Sequence, residues 1–170
     1  MNRHRLFTPW AVFALLWVAF AAYVWITSGQ LPDRVATHFG AAGQPNGWMT
    51  RAEHVQFTLV LGAVVPAFVL GIFSFIGRLN GRGLNIPHKD YWLAPEQRAG
   101  TFEFMRRQGA WFAGLFIVFL AGIHTSILAA NAHRPIHLPL ASVAWVAGPF
   151  LAAAIVWVIA FFLRFSRRPA

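Results

Sequence analysis

The chain has seven histidines and no cysteine, so any metal ligands would be imidazole and carboxylate groups. Such ligands suit Zn²⁺ and Cu²⁺. Five histidines lie at or beside the same end of the apolar runs around them, namely His38, His54, His124, His133 and His137. A metal site formed by His38, His54, His133 and His137 is one hypothesis, and it requires at least three of these side chains to converge.

A structural role is the alternative for these histidines. His38 would then hydrogen-bond the turn that follows it, and the other loop histidines would be solvated. His124 differs because it lies inside an apolar run, followed by Thr125 and Ser126. Ionisable residues in such runs usually face a bundle interior or a cavity. His124 is therefore part of a ligand pocket, a proton-sensitive group, or a neutral imidazole bonded to a neighbouring helix.

Known catalytic motifs are absent from the sequence. It contains no H-E-x-x-H, no G-x-S-x-G and no phosphate-binding loop. The formal charge of +9 does not indicate a nucleic-acid partner, because the basic residues cluster beside apolar runs and no nucleic-acid-binding motif accompanies them. These features favour a non-enzymatic protein, with enzymatic activity left open.

The composition indicates an all-α membrane protein. Hydrophobic residues make up 58% of the chain and charged residues 11%, and a soluble domain of 170 residues could not bury that much apolar surface. Four runs each reach the roughly 20 apolar residues that cross a bilayer: residues 8–27, 55–77, 109–130 and 139–163. We therefore predict a bundle of four transmembrane helices within one integral membrane domain, residues 1–170, with the first run retained rather than cleaved as a signal peptide.

The distribution of basic residues predicts the orientation. Eleven lysines and arginines, including Arg3, Arg167 and Arg168, fall on the side of the two termini and residues 78–108, and three fall on the other side. The positive-inside rule then places both termini in the cytoplasm of a multi-pass protein of the bacterial inner membrane. Residues 28–54 would form an extracytoplasmic segment.

The cytoplasmic connection, residues 78–108, contains a helix signal. Pro95 is suited to the first turn of a helix, and Phe102 and Met105 share one face of the residues that follow. A helix from Pro95 to Gln108 is predicted to lie at the membrane interface and to run into the third span.

The extracytoplasmic segment is predicted to form a short ordered cap. Pro32 ends any helix from the first run, and residues 43–47, GQPNG, have the composition of a tight turn. Residues 34–39 are expected to be extended. Phe39 and Trp48 would be the apolar anchors of the cap.

Two segments resemble a known family. LPDRVATHFGAAGQPNGW, residues 31–48, resembles the motif of a widespread prokaryotic membrane family of unknown function. LNIPHKDYWLAPEQR, residues 84–98, resembles the cytoplasmic segment of its short members. The matching residues are Leu31, Pro32, His38, Phe39, Gly43, Pro45, Asn85, Pro87, Tyr91, Trp92 and Pro95. This domain forms the N-terminal part of the SdpI-type immunity proteins, so the resemblance implies protection against a secreted killing peptide.

Two functional hypotheses follow. The first is a non-enzymatic immunity-like protein, sensor or accessory subunit, whose cap contacts a peptide, a lipid or another membrane protein. Its contact residues would be His38, Phe39, Gly43, Pro45, Trp48 and His124. The alternative is a metal-binding membrane protein, or a small metal-dependent enzyme, that holds Zn or Cu on the outer histidines. A row of small residues, Ala144, Gly148 and Ala152, would let a further helix approach in a homo- or hetero-oligomer.

Overall fold

Four long helices form the protein. The computed structural model describes residues 4–166, so Arg3, Arg167 and Arg168 lie outside the described residues. The long helices are α1 (His4–Thr27), α2 (Arg51–Arg78), α4 (Pro95–Ala132) and α5 (Leu140–Ser166). Within residues 4–166 these are the four helices long and apolar enough to cross a membrane. The prediction of a four-helix membrane protein is confirmed.

Helix α4 is the centre of the bundle because small residues on it admit each of the other three helices. A Cβ atom added at Gly109 would lie 2.6 Å from Phe73 of α2. One added at Gly122 would lie 2.8 Å from Val146 of α5, and one at Gly114 would lie 3.3 Å from Leu16 of α1. Glycines at such positions let helices pack with their backbones close together in a membrane.

Helix α5 packs mainly against α4, and its second half also contacts Phe73 of α2. In its first half, Ala144, Gly148 and Ala152 are all exposed, and no atom of residues 4–166 lies within 4 Å of a Cβ added at Gly148. The row of small residues thus faces away from the bundle.

The connection between α1 and α2 is a β-hairpin at one end of the bundle, here called the cap end. A short 3₁₀ turn (Ser28–Gln30) is followed by β1 (Arg34–Phe39) and β2 (Pro45–Thr50), which pair antiparallel. The extended conformation predicted for residues 34–39 is therefore present. Thr50 caps α2 by accepting a hydrogen bond from the Glu53 amide, and the Glu53 carboxylate accepts one from the Thr50 amide.

The opposite end of the bundle is closed by residues 79–94, which include the short helix α3 (Lys89–Trp92). Trp92 is buried and its Nε1 donates to the Phe165 carbonyl at 3.1 Å. The Arg164 guanidinium lies 4.5 Å from the centre of the Trp92 ring, a cation–π contact. These contacts join the connection to the end of α5.

The helix predicted from Pro95 is the first part of α4, which runs without interruption to Ala132. Its 38 residues correspond to about 57 Å at 1.5 Å per residue, whereas a bilayer core is about 30 Å thick. The first turns of α4 therefore extend beyond the apolar core, where Phe102 and Met105 pack on Trp92 and Phe165.

Candidate functional site

A cavity of about 250 Å³ lies beneath the hairpin, between α2 and α4. His38 and Met49 line it from the hairpin side, and Phe57 lines it from α2. His54 of α2 and His124 of α4 line the same cavity. Three of the histidines selected from the sequence therefore face one space, which we call the histidine cavity.

Two of these histidines form a buried pair. His54 is 5% exposed and His124 is 1% exposed. His54 Nε2 lies 3.2 Å from His124 Nδ1, and the rings are stacked at 5.3 Å with an interplanar angle of 11°. The edge of the Tyr23 ring packs on His124 at a centroid distance of 5.5 Å. The contacts bring α1, α2 and α4 together in a polar layer.

Hydrogen bonding from α1 fixes the tautomers of the pair when both rings are neutral. The Thr27 hydroxyl donates to the Tyr23 carbonyl at 2.7 Å, so its oxygen accepts from His124 Nε2, 2.9 Å away. His124 Nδ1 then carries a lone pair and accepts from His54 Nε2. The result is a directed chain from His54 through His124 and Thr27 to the backbone of α1.

The hairpin is held on the bundle by Asn131, which the sequence analysis does not select. Asn131 is 3% exposed. Its Oδ1 accepts from the Ala36 amide and its Nδ2 donates to the Ala36 carbonyl, both at 2.9 Å. A third bond runs from Nδ2 to the Ile127 carbonyl. Asn131 therefore binds β1 as a neighbouring strand would. The sequence offers only a weak indication of this role, a single asparagine just after the third apolar run.

The residues predicted for the cap have different surroundings. His38 is exposed and bonds Asn46 across the hairpin. Phe39 packs on the cluster of Leu31, Val35 and Ile127. Trp48 is 40% exposed because side chains alternate along β2 and that of Trp48 points outward. The Arg34 guanidinium lies 4.9 Å from the centre of the Trp48 ring. The turn comprises residues 40–44 rather than the predicted residues 43–47, because Pro45 already begins β2. Gly43 has a φ of +80° in this turn.

The four histidines of the metal hypothesis are dispersed. His133 and His137 are exposed, and His137 packs against the turn at Gly43 rather than lining the cavity. Among residues 4–166, no three histidine, aspartate or glutamate side chains are grouped in a way that could hold a metal ion. The structure thus brings His38 and His54 to one cavity with His124, and separates both from His133 and His137.

We expect Gly43→Ala to destabilise the protein more than Gly83→Ala. Both glycines have φ near +80°, a region that costs other residues about 1–2 kcal/mol. A Cβ at Gly43 would also lie 2.5 Å from the Leu138 carbonyl oxygen and against the His137 ring, whereas at Gly83 it meets nothing within 4 Å.

Thermal unfolding in detergent would compare the two variants. Gly43→Ala should lose about 2 kcal/mol or more and Gly83→Ala about 1 kcal/mol. Equal losses would show that the contact between the hairpin turn and residues 137–138 contributes nothing to stability.

The helices and hairpin define a multi-pass membrane protein with a small extramembrane cap. Residues 11–62 match the model of a family described as "Domain of unknown function (DUF1648)". This region includes α1 from residue 11, the hairpin and the first part of α2, so it contains His38 and His54 but not His124.

A relative from Archaeoglobus fulgidus, described as an uncharacterized protein, is 39% identical over 69 residues. That match covers 38% of this chain and 35% of the relative, so the chain matches about a third of the relative's length. No solved structure matches the chain.

Proposed function

We propose that the protein is a non-enzymatic, immunity-like membrane protein whose histidine cavity receives an apolar side chain of a membrane-active peptide. The cavity itself carries the proposal. Its walls include Phe57, Leu61 and Leu120, and its polar groups are concentrated at the buried histidine pair. Ligand pockets for drug-sized molecules measure about 300–1,000 Å³, so a cavity of about 250 Å³ fits a side chain rather than a larger molecule.

The cavity combines two sources of affinity. Burial of apolar surface contributes about 25 cal/mol per Å², and the apolar walls offer that surface. Three of the four ring nitrogens of the histidine pair are already bonded, so the pair offers one acceptor, His54 Nδ1, to a peptide N–H, in a region where an unpaired polar group is costly. A sensor or an accessory subunit would use the same contact. Only an immunity-like protein would also let a sensitive bacterial host survive the killing peptide.

A pair of tryptophan substitutions on α4 tests this role. Ile123→Trp would fill the histidine cavity, because Ile123 lines it. Val118→Trp is the matched control, because Val118 is 55% exposed on the same helix. We expect a bacterial host sensitive to the killing peptide to survive when it makes the wild-type protein or Val118→Trp. Ile123→Trp, at the same level in the membrane, should not protect.

Two results would contradict the proposal. If the wild-type protein does not raise survival, the immunity-like role is wrong. If Ile123→Trp protects as well as Val118→Trp, the peptide does not use the cavity.

We also propose that the cap end faces the outside of the bacterial inner membrane and that both termini are cytoplasmic. The support is the asymmetry of basic residues, eleven against three. Phosphatase and fluorescent-protein reporters fused within the hairpin turn and after Ala170 would test this topology. A phosphatase that is active after Ala170 would reverse it.

Metal binding is the second candidate function, and the geometry of the histidine pair favours it. Zinc–nitrogen bonds of about 2.0–2.1 Å at a tetrahedral centre place two ligand nitrogens about 3.3 Å apart. His54 Nε2 and His124 Nδ1 are 3.2 Å apart, and the bond from His124 to Thr27 is the kind of support that orients a metal-bound imidazole. A metal held by this pair would take its remaining ligands from water or a bound molecule, because no third histidine, aspartate or glutamate of residues 4–166 is grouped with the pair. To bind Zn or Cu through Nε2, His54 would change tautomer and carry its proton on Nδ1.

Elemental analysis of purified protein tests the metal candidate. We expect one Zn or Cu per chain in the wild type and in His133→Gln, whose histidine is outside the cavity, and less than a tenth of that in His54→Gln. Wild-type protein without metal after dialysis against each ion would reject this function.

A further inference from the structure

A second space, which we call the lateral groove, lies between the end of α1 and the beginning of α2. It has a volume of about 850 Å³ and shares no lining residue with the histidine cavity. Its wall includes the exposed Trp25, at 72% exposure. Tryptophan is typical of the interface between lipid headgroups and acyl chains, so the groove is placed at that level of the membrane.

Two polar groups of the groove have no partner among the described residues, 4–166. Ser28 is 3% exposed and its Oγ makes no hydrogen bond. The Nε of Arg51 is also buried without a partner, although Arg51 Nη2 bonds Asp33 Oδ1 at 2.7 Å. Ser28, Arg51 and Asp33 all line the groove. Buried polar groups of native proteins are almost always paired, so a hydroxyl and a guanidinium N–H beside one space indicate a ligand with acceptor oxygens.

The polarity of the groove changes along α2. Arg51 begins the helix, and Val55 and Leu59 line the groove one and two turns further on. Each step of four residues advances about 6 Å along the axis. The groove therefore has a charged end at the helix N-terminus and an apolar wall toward the middle of the membrane, which is the order of headgroup and acyl chain in a lipid.

The charges at the polar end complement a zwitterion. Arg51 and Asp33 form an ion pair, and the Asp33 side chain is fully exposed. Both atoms are covered in the free protein; a change of rotamer at Ser28 and Arg51 would let a phosphate in the groove accept from Ser28 Oγ and Arg51 Nε, a charge-assisted arrangement that arginine favours. An ammonium on the same headgroup would donate to the Asp33 carboxylate.

We propose that the lateral groove is a binding site for one phospholipid of the bilayer that carries a primary amine, as phosphatidylethanolamine does. Its phosphate bonds Ser28 and Arg51, its ammonium bonds Asp33, and one acyl chain lies along Val55 and Leu59. A choline headgroup fits less well because it has no N–H to donate, and a glycerol headgroup has no positive charge for Asp33.

The test measures retained lipid by native mass spectrometry. Purified full-length protein is stripped of lipid in detergent and exchanged with vesicles of equal parts phosphatidylethanolamine, phosphatidylglycerol and phosphatidylcholine. We expect the wild-type protein to retain one phosphatidylethanolamine per chain. Ser28→Ala should retain about tenfold less, which is the size expected for one lost bond to a charged group. Ser126→Ala is the matched control, because Ser126 lies outside the groove and bonds the Gly122 carbonyl.

Ser28→Ala also separates binding from folding. Its Oγ has no partner in the part of the chain that the structure describes, so its removal should not lower the stability of lipid-free protein. Asp33→Asn should still retain phospholipid but lose the preference for the amine.

Three results would overturn the proposal. Wild-type protein could retain no lipid, or it could retain the three lipids in vesicle proportions as annular lipid only. Ser28→Ala could also retain as much phosphatidylethanolamine as Ser126→Ala.

Discussion

Asn131→Ala is expected to release the hairpin from the bundle and to lower the free energy of unfolding by about 3 kcal/mol. The substitution removes three hydrogen bonds, two of them to the amide and carbonyl of Ala36. Ala36 is completely buried, so both of its backbone groups would remain away from water without a partner. Each such group costs about 1–3 kcal/mol.

Two measurements check this expectation. Thermal unfolding in detergent reports the loss of stability, and limited proteolysis of the turn between β1 and β2 reports release of the hairpin. Asn131→Asp keeps an acceptor for the Ala36 amide but places a buried carboxylate oxygen against the Ala36 and Ile127 carbonyl oxygens, so it should lose at least as much stability as Asn131→Ala. Asn46→Ala removes only the exposed bond to His38 and should change stability by about 0.5 kcal/mol or less.

If Asn131→Ala unfolds and is cleaved like the wild-type protein, the hairpin does not depend on this clamp. The packing of Leu31 and Val35 on Ile127 would then be sufficient to hold it.

The four helices could be predicted from the sequence because a bilayer imposes one solution. An apolar run that crosses lipid must satisfy its own backbone, and a helix of about 20 residues does so. The residues at which the helices begin and end are harder to predict from the sequence. Helix α2 begins at Arg51, four residues before the apolar run at residue 55, because Thr50 and Glu53 form a capping box on polar residues.

Only the first strand of the hairpin could be predicted from the sequence. Pro32 restricts the backbone before the extended residues 34–39, and Gly43 permits the turn that follows them. Both features therefore have a local cause in the sequence. The pairing of residues 45–50 as the partner strand has no such local cause, because Pro45, Asn46 and Gly47 are poor strand signals. Pairing with β1 and burial of one face against α4 override that local preference.

The histidine cavity could not be predicted because it depends on contacts distant in sequence. His54 and His124 are 70 residues apart in the chain, and nothing local indicates that they share one hydrogen bond. The position of His124 inside an apolar run shows only that it faces an interior. The separation of His133 and His137 from the cavity also depends on tertiary structure, since both lie in the connection between α4 and α5, outside any helix.

His124→Ala is expected to lower the free energy of unfolding by about 3–4 kcal/mol. The substitution leaves a void where α1, α2 and α4 meet, and it removes the acceptor of the His54 Nε2 proton. Part of the lost stability comes from the void and part from the unpaired N–H of His54. Two conservative variants separate these parts. Gln at position 124 can still donate to Thr27, and Asn can still accept from His54, so each should recover part of the stability.

A double-mutant cycle measures the bond between the two imidazoles directly. His54→Leu leaves His124 Nδ1 without a donor, and His124→Leu leaves His54 Nε2 without an acceptor. The double variant leaves neither. Removal of both partners of a buried bond is often less costly than the sum of the single removals. We expect the double variant to be more stable than additivity predicts by about 1 kcal/mol or more, in chemical unfolding of metal-free protein in detergent. Additive losses would mean that the 3.2 Å contact is not a hydrogen bond, and the directed chain from His54 to the backbone of α1 would then be wrong.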